Sequence, residues 1–134
     1  MMQALSIKSS YSVQRGFTLI ELLVVLAIIG TLLSLALPRY NASVEKSKEA
    51  VLRQNIATLR DAIDKYHGDT GTYPQSLEDL VTKQYLRRIP LDPVTNSEKT
   101  WIALQATTAN EQGIIDVKSG ATGRSRAGTP FQEW

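Results

Sequence analysis

Glu21 has the most unusual surroundings of any titratable residue in this chain. It is a carboxylate inside an apolar run from Phe17 to Leu37, and no charge follows it between Leu22 and Leu37. A carboxylate at membrane depth costs roughly 2.5–3.5 kcal/mol on insertion scales, so such a residue marks a candidate functional position. It can snorkel to the headgroups, or it can pair with a cation in low dielectric. Just before it stands Arg15-Gly16-Phe17, where a basic leader gives way to the apolar run. The other chemistry-bearing residues are sparse. His67 is the only histidine, with Asp64 and Asp69 near it. At the end of a helical pattern an imidazole serves more readily as a C-terminal cap than as a metal ligand. With no cysteine, disulfides, thiolate metal sites and a cysteine nucleophile are excluded. No Ser/His/Asp set is assembled by spacing. Gly120-Ala121-Thr122-Gly123 lacks the Lys-Ser/Thr that follows a phosphate loop. The chain is expected not to be an enzyme.

The elements that must position Glu21 come next. Phe17 to Leu37 is 21 residues. As a helix it is about 32 Å long at about 1.5 Å per residue, enough to cross the hydrocarbon of a bilayer. Gly30, Thr31 and Ser34 interrupt it, and membrane helices tolerate all three types. Pro38 follows, and a proline there removes one backbone bond and kinks or locally melts the helix. Residues 1–16 hold Lys8 and Arg15 and no acid, so thirteen of the chain's 15 Lys+Arg remain to balance its 13 Asp+Glu. The basic pI therefore reflects the leader, and no nucleic-acid partner is expected. The leader also suits an ordinary secretory signal, with Ser34-Leu35-Ala36 as a small-x-small cut. The length of the run and the acid within it argue against that reading.

Helical patterning resumes after Pro38. Leu52, Ile56, Leu59, Ile63 and Tyr66 recur at spacings of four and three, with Val44 and Val51 on the same face. Glu45, Lys46, Lys48, Glu49, Arg53, Arg60, Asp61, Asp64 and Lys65 fall opposite. Glu45–Lys48, Glu49–Arg53 and Asp61–Lys65 are favourable local pairs. The pattern predicts an amphipathic helix over 39–67 that stops at Gly68-Asp69-Thr70-Gly71. Ser76 predicts an N-cap for a short helix over 76–84, with Leu77, Leu80 and Val81 inward. Pro90, Asp92 and Pro93 enforce a loop. Strands are predicted at 100–104 and 113–118 as an antiparallel pair. A C-terminal loop, 119–134, is expected to be pinned by Phe131 and Trp134. The fold class is α+β: a long N-terminal helix, half membrane and half amphipathic, packed on a small antiparallel sheet. The division is leader 1–16, membrane and assembly helix 17–38, and head 39–134.

Gly16-Phe17-Thr18-Leu19-Ile20-Glu21-Leu22-Leu23-Val24-Val25-Leu26-Ala27-Ile28-Ile29-Gly30 resembles the prepilin signal of the type IV pilin and pseudopilin superfamily, and the resemblance extends through Pro38. It implies a pilin-like fold and a membrane prepilin peptidase that cuts between Gly16 and Phe17 and methylates the new amine. It also implies that Glu21 meets the N-terminal amine of a neighbouring subunit during assembly. Pairing the ammonium and the carboxylate offsets much of the cost of burying each. Glu21 can also pair with its own Phe17 amine, and the sequence leaves both pairings open.

Tyr73-Pro74, Ser76-Leu77-Glu78-Asp79-Leu80, Ile89-Pro90-Leu91-Asp92-Pro93, Trp101 and Asp116-Val117-Lys118-Ser119-Gly120 are similar in order and spacing to the major pseudopilins of type II secretion. That resemblance implies a self-polymerising filament subunit, anchored once in a bacterial inner membrane with its head in the periplasm. Its implied partners are the peptidase, other pseudopilins and an inner-membrane assembly platform. It also implies a calcium site in the C-terminal loop. Here Thr122 stands where an acid is expected, and Arg124 and Arg126 add positive charge. The expectation is no cofactor: a calcium site lost or rebuilt, with Asp116 and Ser119 the candidate ligands left. Two alternatives are carried: a type IV pilin or minor pilin for adhesion, motility or DNA uptake, and an uncut, membrane-anchored binding domain.

Overall fold

The computed structural model describes residues 15–134. The expected leader therefore lies outside the described residues, apart from Arg15 and Gly16. The chain divides into two compact units between Arg39 and Tyr40. Its elements are α1 (Leu19–Thr70), α2 (Leu77–Thr82), β1 (Trp101–Gln105), β2 (Ile114–Ser119) and a 3-10 turn at Phe131–Glu133. The fold is α+β and pilin-like, as the sequence implies.

Helix α1 runs through Pro38 without interruption, so of the kink or local melting expected there, the melting does not occur. A proline keeps a helix-compatible φ; what it removes is its own N–H, the donor that would serve the carbonyl four residues earlier. The helix also outlasts its expected end. Gly68 stays helical, and the stop comes at Gly71, whose φ of 72° gives the left-handed turn that an L side chain resists. The Gly71 N–H closes on the His67 carbonyl at 2.8 Å, and the Thr70 hydroxyl donates to the Tyr66 carbonyl at 2.7 Å. The His67 ring stacks on Tyr73, centroids 4.1 Å apart.

In the second unit the apolar stripe of α1 forms one wall of the core. Leu52, Ile56, Leu59, Ala62 and Ile63 are buried with Leu77 and Leu80 of α2, Trp101, Ile114, Val117, Ala121 and Phe131. Val51 departs from its expected place. It is 48% exposed and, with Tyr40, Ser43, Val44, Ser47, Lys48 and Pro93, borders a shallow surface groove. Helix α2 opens on a capping box: the Ser76 hydroxyl accepts from the Asp79 N–H, and the Asp79 carboxylate accepts from the Ser76 N–H.

Strands β1 and β2 pair antiparallel, Trp101 opposite Ser119 through Leu104 opposite Asp116. The register then shifts, with Gln105 opposite Ile114 and Ile115 left over as a bulge. The bulge resets the alternation of faces, so Ile114 and Val117 both reach the core while Ile115 faces out. At the strand's end Gly120 lies against the neighbouring backbone. A Cβ there would fall 2.1 Å from the Thr100 carbonyl oxygen, so only glycine fits.

Candidate functional site

The junction of Gly16 and Phe17 lies outside any helix or strand, and both residues are exposed, Phe17 by 93%. Among the described residues, apart from its chain neighbours, none comes within 4 Å of a Cβ built on Gly16. The described part of the fold does not require glycine here.

Glu21 is part of a feature missed in reading the sequence. Thr18 precedes the first helical residue, Leu19, and is the N-cap of α1. The Thr18 N–H and hydroxyl donate to Glu21 Oε2 at 2.8 and 3.0 Å, and the Glu21 N–H donates to the Thr18 hydroxyl at 3.2 Å. This is a second capping box, Thr-x-x-Glu, and the spacing was the signal that could have revealed it. Here Glu21 stabilises the start of its own helix. Its second carboxylate oxygen is free of the box.

From Phe17 to Leu37 every large apolar side chain is exposed, and none of the most apolar window is buried within the chain. Thr31 and Ser34 turn their hydroxyls back to the Ala27 and Gly30 carbonyls at 2.8 Å, so their polarity is met within the helix. Pro38 lies on α1 just beyond this run.

Asp116 and Ser119 are not brought together. They sit on opposite faces of β2, because side chains alternate along a strand. Asp116 Oδ1 accepts from Arg60 Nε at 2.7 Å and from the Val117 N–H at 2.7 Å. Ser119 is fully buried; its hydroxyl donates to Asp92 Oδ2 at 2.6 Å and accepts from the Ala121 N–H. Asp92 is also fully buried, and its Oδ1 accepts from the Val94 and Thr95 N–H groups at 2.8 and 3.3 Å. The Asp-Pro pair read only as a loop is thus a turn whose carboxylate ties β2 to the loop before β1. Among the described residues no three His, Cys, Asp or Glu side chains converge. The only acid within 119–134 is Glu133, and it is exposed. This donor set does not fit calcium, which takes six to eight oxygens with carboxylates among them.

Two helix arginines also differ from their expected place. Arg53 lies over the Trp134 ring, 4.4 Å from its centroid, and so is not paired with Glu49. Arg60 is half-buried against β2. The Glu45–Lys48 and Asp61–Lys65 pairs form as expected, at 3.5 and 2.8 Å.

An exposed apolar helix begins at an accessible Gly-Phe junction and belongs to a chain whose small α+β head carries its own core. That combination defines the class of pilin-like subunits with an apolar N-terminal helix. Residues 11–37 match the family described as the prokaryotic N-terminal methylation motif. Over 140 aligned residues the chain is 32% identical to type II secretion system core protein G of Vibrio cholerae, covering 90% of this chain and 92% of that one. The same protein of Klebsiella michiganensis is 33% identical over 79% of this chain and 82% of its own, and that of Aeromonas hydrophila is 31% identical over 90% and 92%. The chain belongs to this family of pseudopilins, the core protein G family of type II secretion. No solved structure matches it.

Proposed function

We propose that this chain is the repeating structural subunit of a type II secretion pseudopilus in a bacterial periplasm. It has no catalytic role. It waits in the inner membrane, is cut between Gly16 and Phe17 by a prepilin peptidase, and is N-methylated at Phe17. It then polymerises through the apolar half of α1 with further copies and other pseudopilins on an inner-membrane assembly platform. The observation that carries this reading is the wholly exposed apolar segment directly after an accessible Gly-Phe junction. Lipid covers such a segment before assembly, and identical helices cover it afterwards. The capping box supports a role for Glu21. Its carboxylate sits within the first turn, next to the position of the amine released by the cut, and charge pairing is strongest where water is excluded. Pro38 lies between the apolar run and the head, where α1 can bend during packing.

The test is to co-express the full chain with its peptidase and determine the N-terminus by mass spectrometry. Methylated Phe17 is expected; an intact leader would overturn the reading. Gly16→Val should leave uncut precursor, because the fold tolerates the side chain while the enzyme's cleft does not. Glu21→Ala should give processed monomer and few filaments, by electron microscopy of sheared fractions. A normal filament yield would remove Glu21 from assembly.

A further inference from the structure

We propose that the loop from Ser119 to Trp134 is closed by guanidinium groups of the chain itself, those of Arg60 and Arg124, and takes no divalent cation. Arg60 gathers three oxygens. Its Nε donates to Asp116 Oδ1 at 2.7 Å, and its Nη2 donates to the Val117 carbonyl at 3.3 Å and to the main-chain oxygen of Trp134 at 3.1 Å. One carboxylate and two main-chain oxygens, taken from the entrance and the far end of the loop, are donors that calcium itself would use. They already surround a cation whose planar fork holds several acceptors at once.

Arg124 makes a smaller closure at the loop's tip, on one carbonyl. Its Nη1 donates to the Gly128 carbonyl at 2.9 Å. The turn it closes is framed by Ser125 N–H to the Thr129 carbonyl at 2.8 Å and Gly128 N–H to the Ser125 carbonyl at 2.9 Å. The neighbouring acid on α1 is also engaged: Glu49 Oε1 accepts the Arg126 N–H at 2.6 Å. Below, Trp134 is held between Arg53 and the edge of Phe131, whose centroid is 5.3 Å away. A calcium ion approaching Asp116 would meet the Arg60 charge at hydrogen-bond distance, and like charges repel most where water is thin. A cation built into the chain is present at any calcium concentration, so closing the loop requires no binding equilibrium. This inference stands on the head alone and does not depend on filament formation.

The experiment melts the full chain in detergent micelles, in EGTA and in excess calcium chloride. The same melting temperature is expected in both. Terbium should give no saturable luminescence through Trp134. Arg60→Ala and Arg124→Ala should each lower the melting temperature, by about 4–8 °C for every kcal/mol lost in a domain of this size. Arg60→Lys should recover only part of the loss, since an ammonium lacks the fork. If Arg60→Ala fails to fold, Arg124→Ala, exposed and confined to the turn, still decides the matter. A melting temperature that rises with calcium in the unaltered chain, or arginine variants as stable as the parent, would overturn the proposal.

Discussion

Leu26 and Leu59 lie on the same helix, yet Leu26 is 60% exposed and Leu59 is fully buried. The residue type is identical, and so is the local conformation. What differs is the supply of partners. Around Leu59 the chain provides α2, Trp101, Ile114, Val117 and Phe131. Around Leu26 the described residues provide nothing beyond the helix itself. An apolar helix face with no partner in its own chain has to be covered from outside. The two halves of α1 are thus the same secondary structure in different settings: one is the wall of a core, the other an apolar surface left exposed.

The sharpest way to break this comparison is to cut a leucine from each half. Leu59→Ala should cost about 2–5 kcal/mol, as large-to-small changes in closed cores do. Leu26→Ala should leave the melting temperature of the full chain in detergent unchanged, because detergent fills the space. Calorimetry of the two variants in the same micelles checks this. Equal losses would show that the apolar half belongs to the cooperative unit of the head.

The two capping boxes allow a finer version. Ser76 with Asp79 caps a helix whose Leu77 and Leu80 are core residues, whereas Thr18 with Glu21 caps the start of the exposed half. Ser76→Ala should destabilise the head by about 1 kcal/mol. Thr18→Ala should fray the first turn and leave the head's melting unchanged. Hydrogen exchange of the Leu19–Leu22 amides reads the fraying, and thermal melting reads the head. A fall in head stability with Thr18→Ala would contradict the independence of the two halves.

Much of this was legible in the sequence because it depends on local rules. An apolar run of fixed length, a stripe at spacings of three and four, and Ser-x-x-Asp before a hydrophobic pair each specify an element from within a few residues. Arg60 shows where such rules stop. Periodicity assigns it to a solvated face, and its partners Asp116, Val117 and Trp134 lie 56, 57 and 74 residues away. Asp92 is similar: Asp-Pro announces a turn but not that β2 will bury its carboxylate against Ser119. The bulge at Ile115 is also invisible in the alternation, because two adjacent isoleucines fit either register. Gly68 and Gly71 both read as stops. The structure uses the second, where the chain must turn left-handed.

The smallest expected effect concerns how the end of α1 is tied to the head. The Tyr85 hydroxyl donates to Asp69 Oδ2 at 2.8 Å, joining the last turn of α1 to the loop after α2. That hydrogen bond to Asp69, with a smaller contribution from desolvation and from the carboxylate's charge, raises the Tyr85 pKa above the ordinary tyrosine value. A tyrosine whose folded pKa is raised contributes stability while it is protonated. The contribution is complete below the unfolded value of about 10 and is lost as pH rises through the folded one. Tyrosinate absorbance should therefore show one of the chain's five tyrosines titrating above an ordinary exposed tyrosine, and Tyr85→Phe should remove that step. The variant should also melt with less loss of stability above about pH 10 than the parent, since the linked proton is gone. This alkaline sensitivity belongs to the head half of α1 alone. The Thr18–Glu21 box ties the start of the other half within its own first turn, so Thr18→Ala should leave the alkaline profile as it was. Loss of the high-pH step in that variant would join two ends of the helix that the structure treats separately.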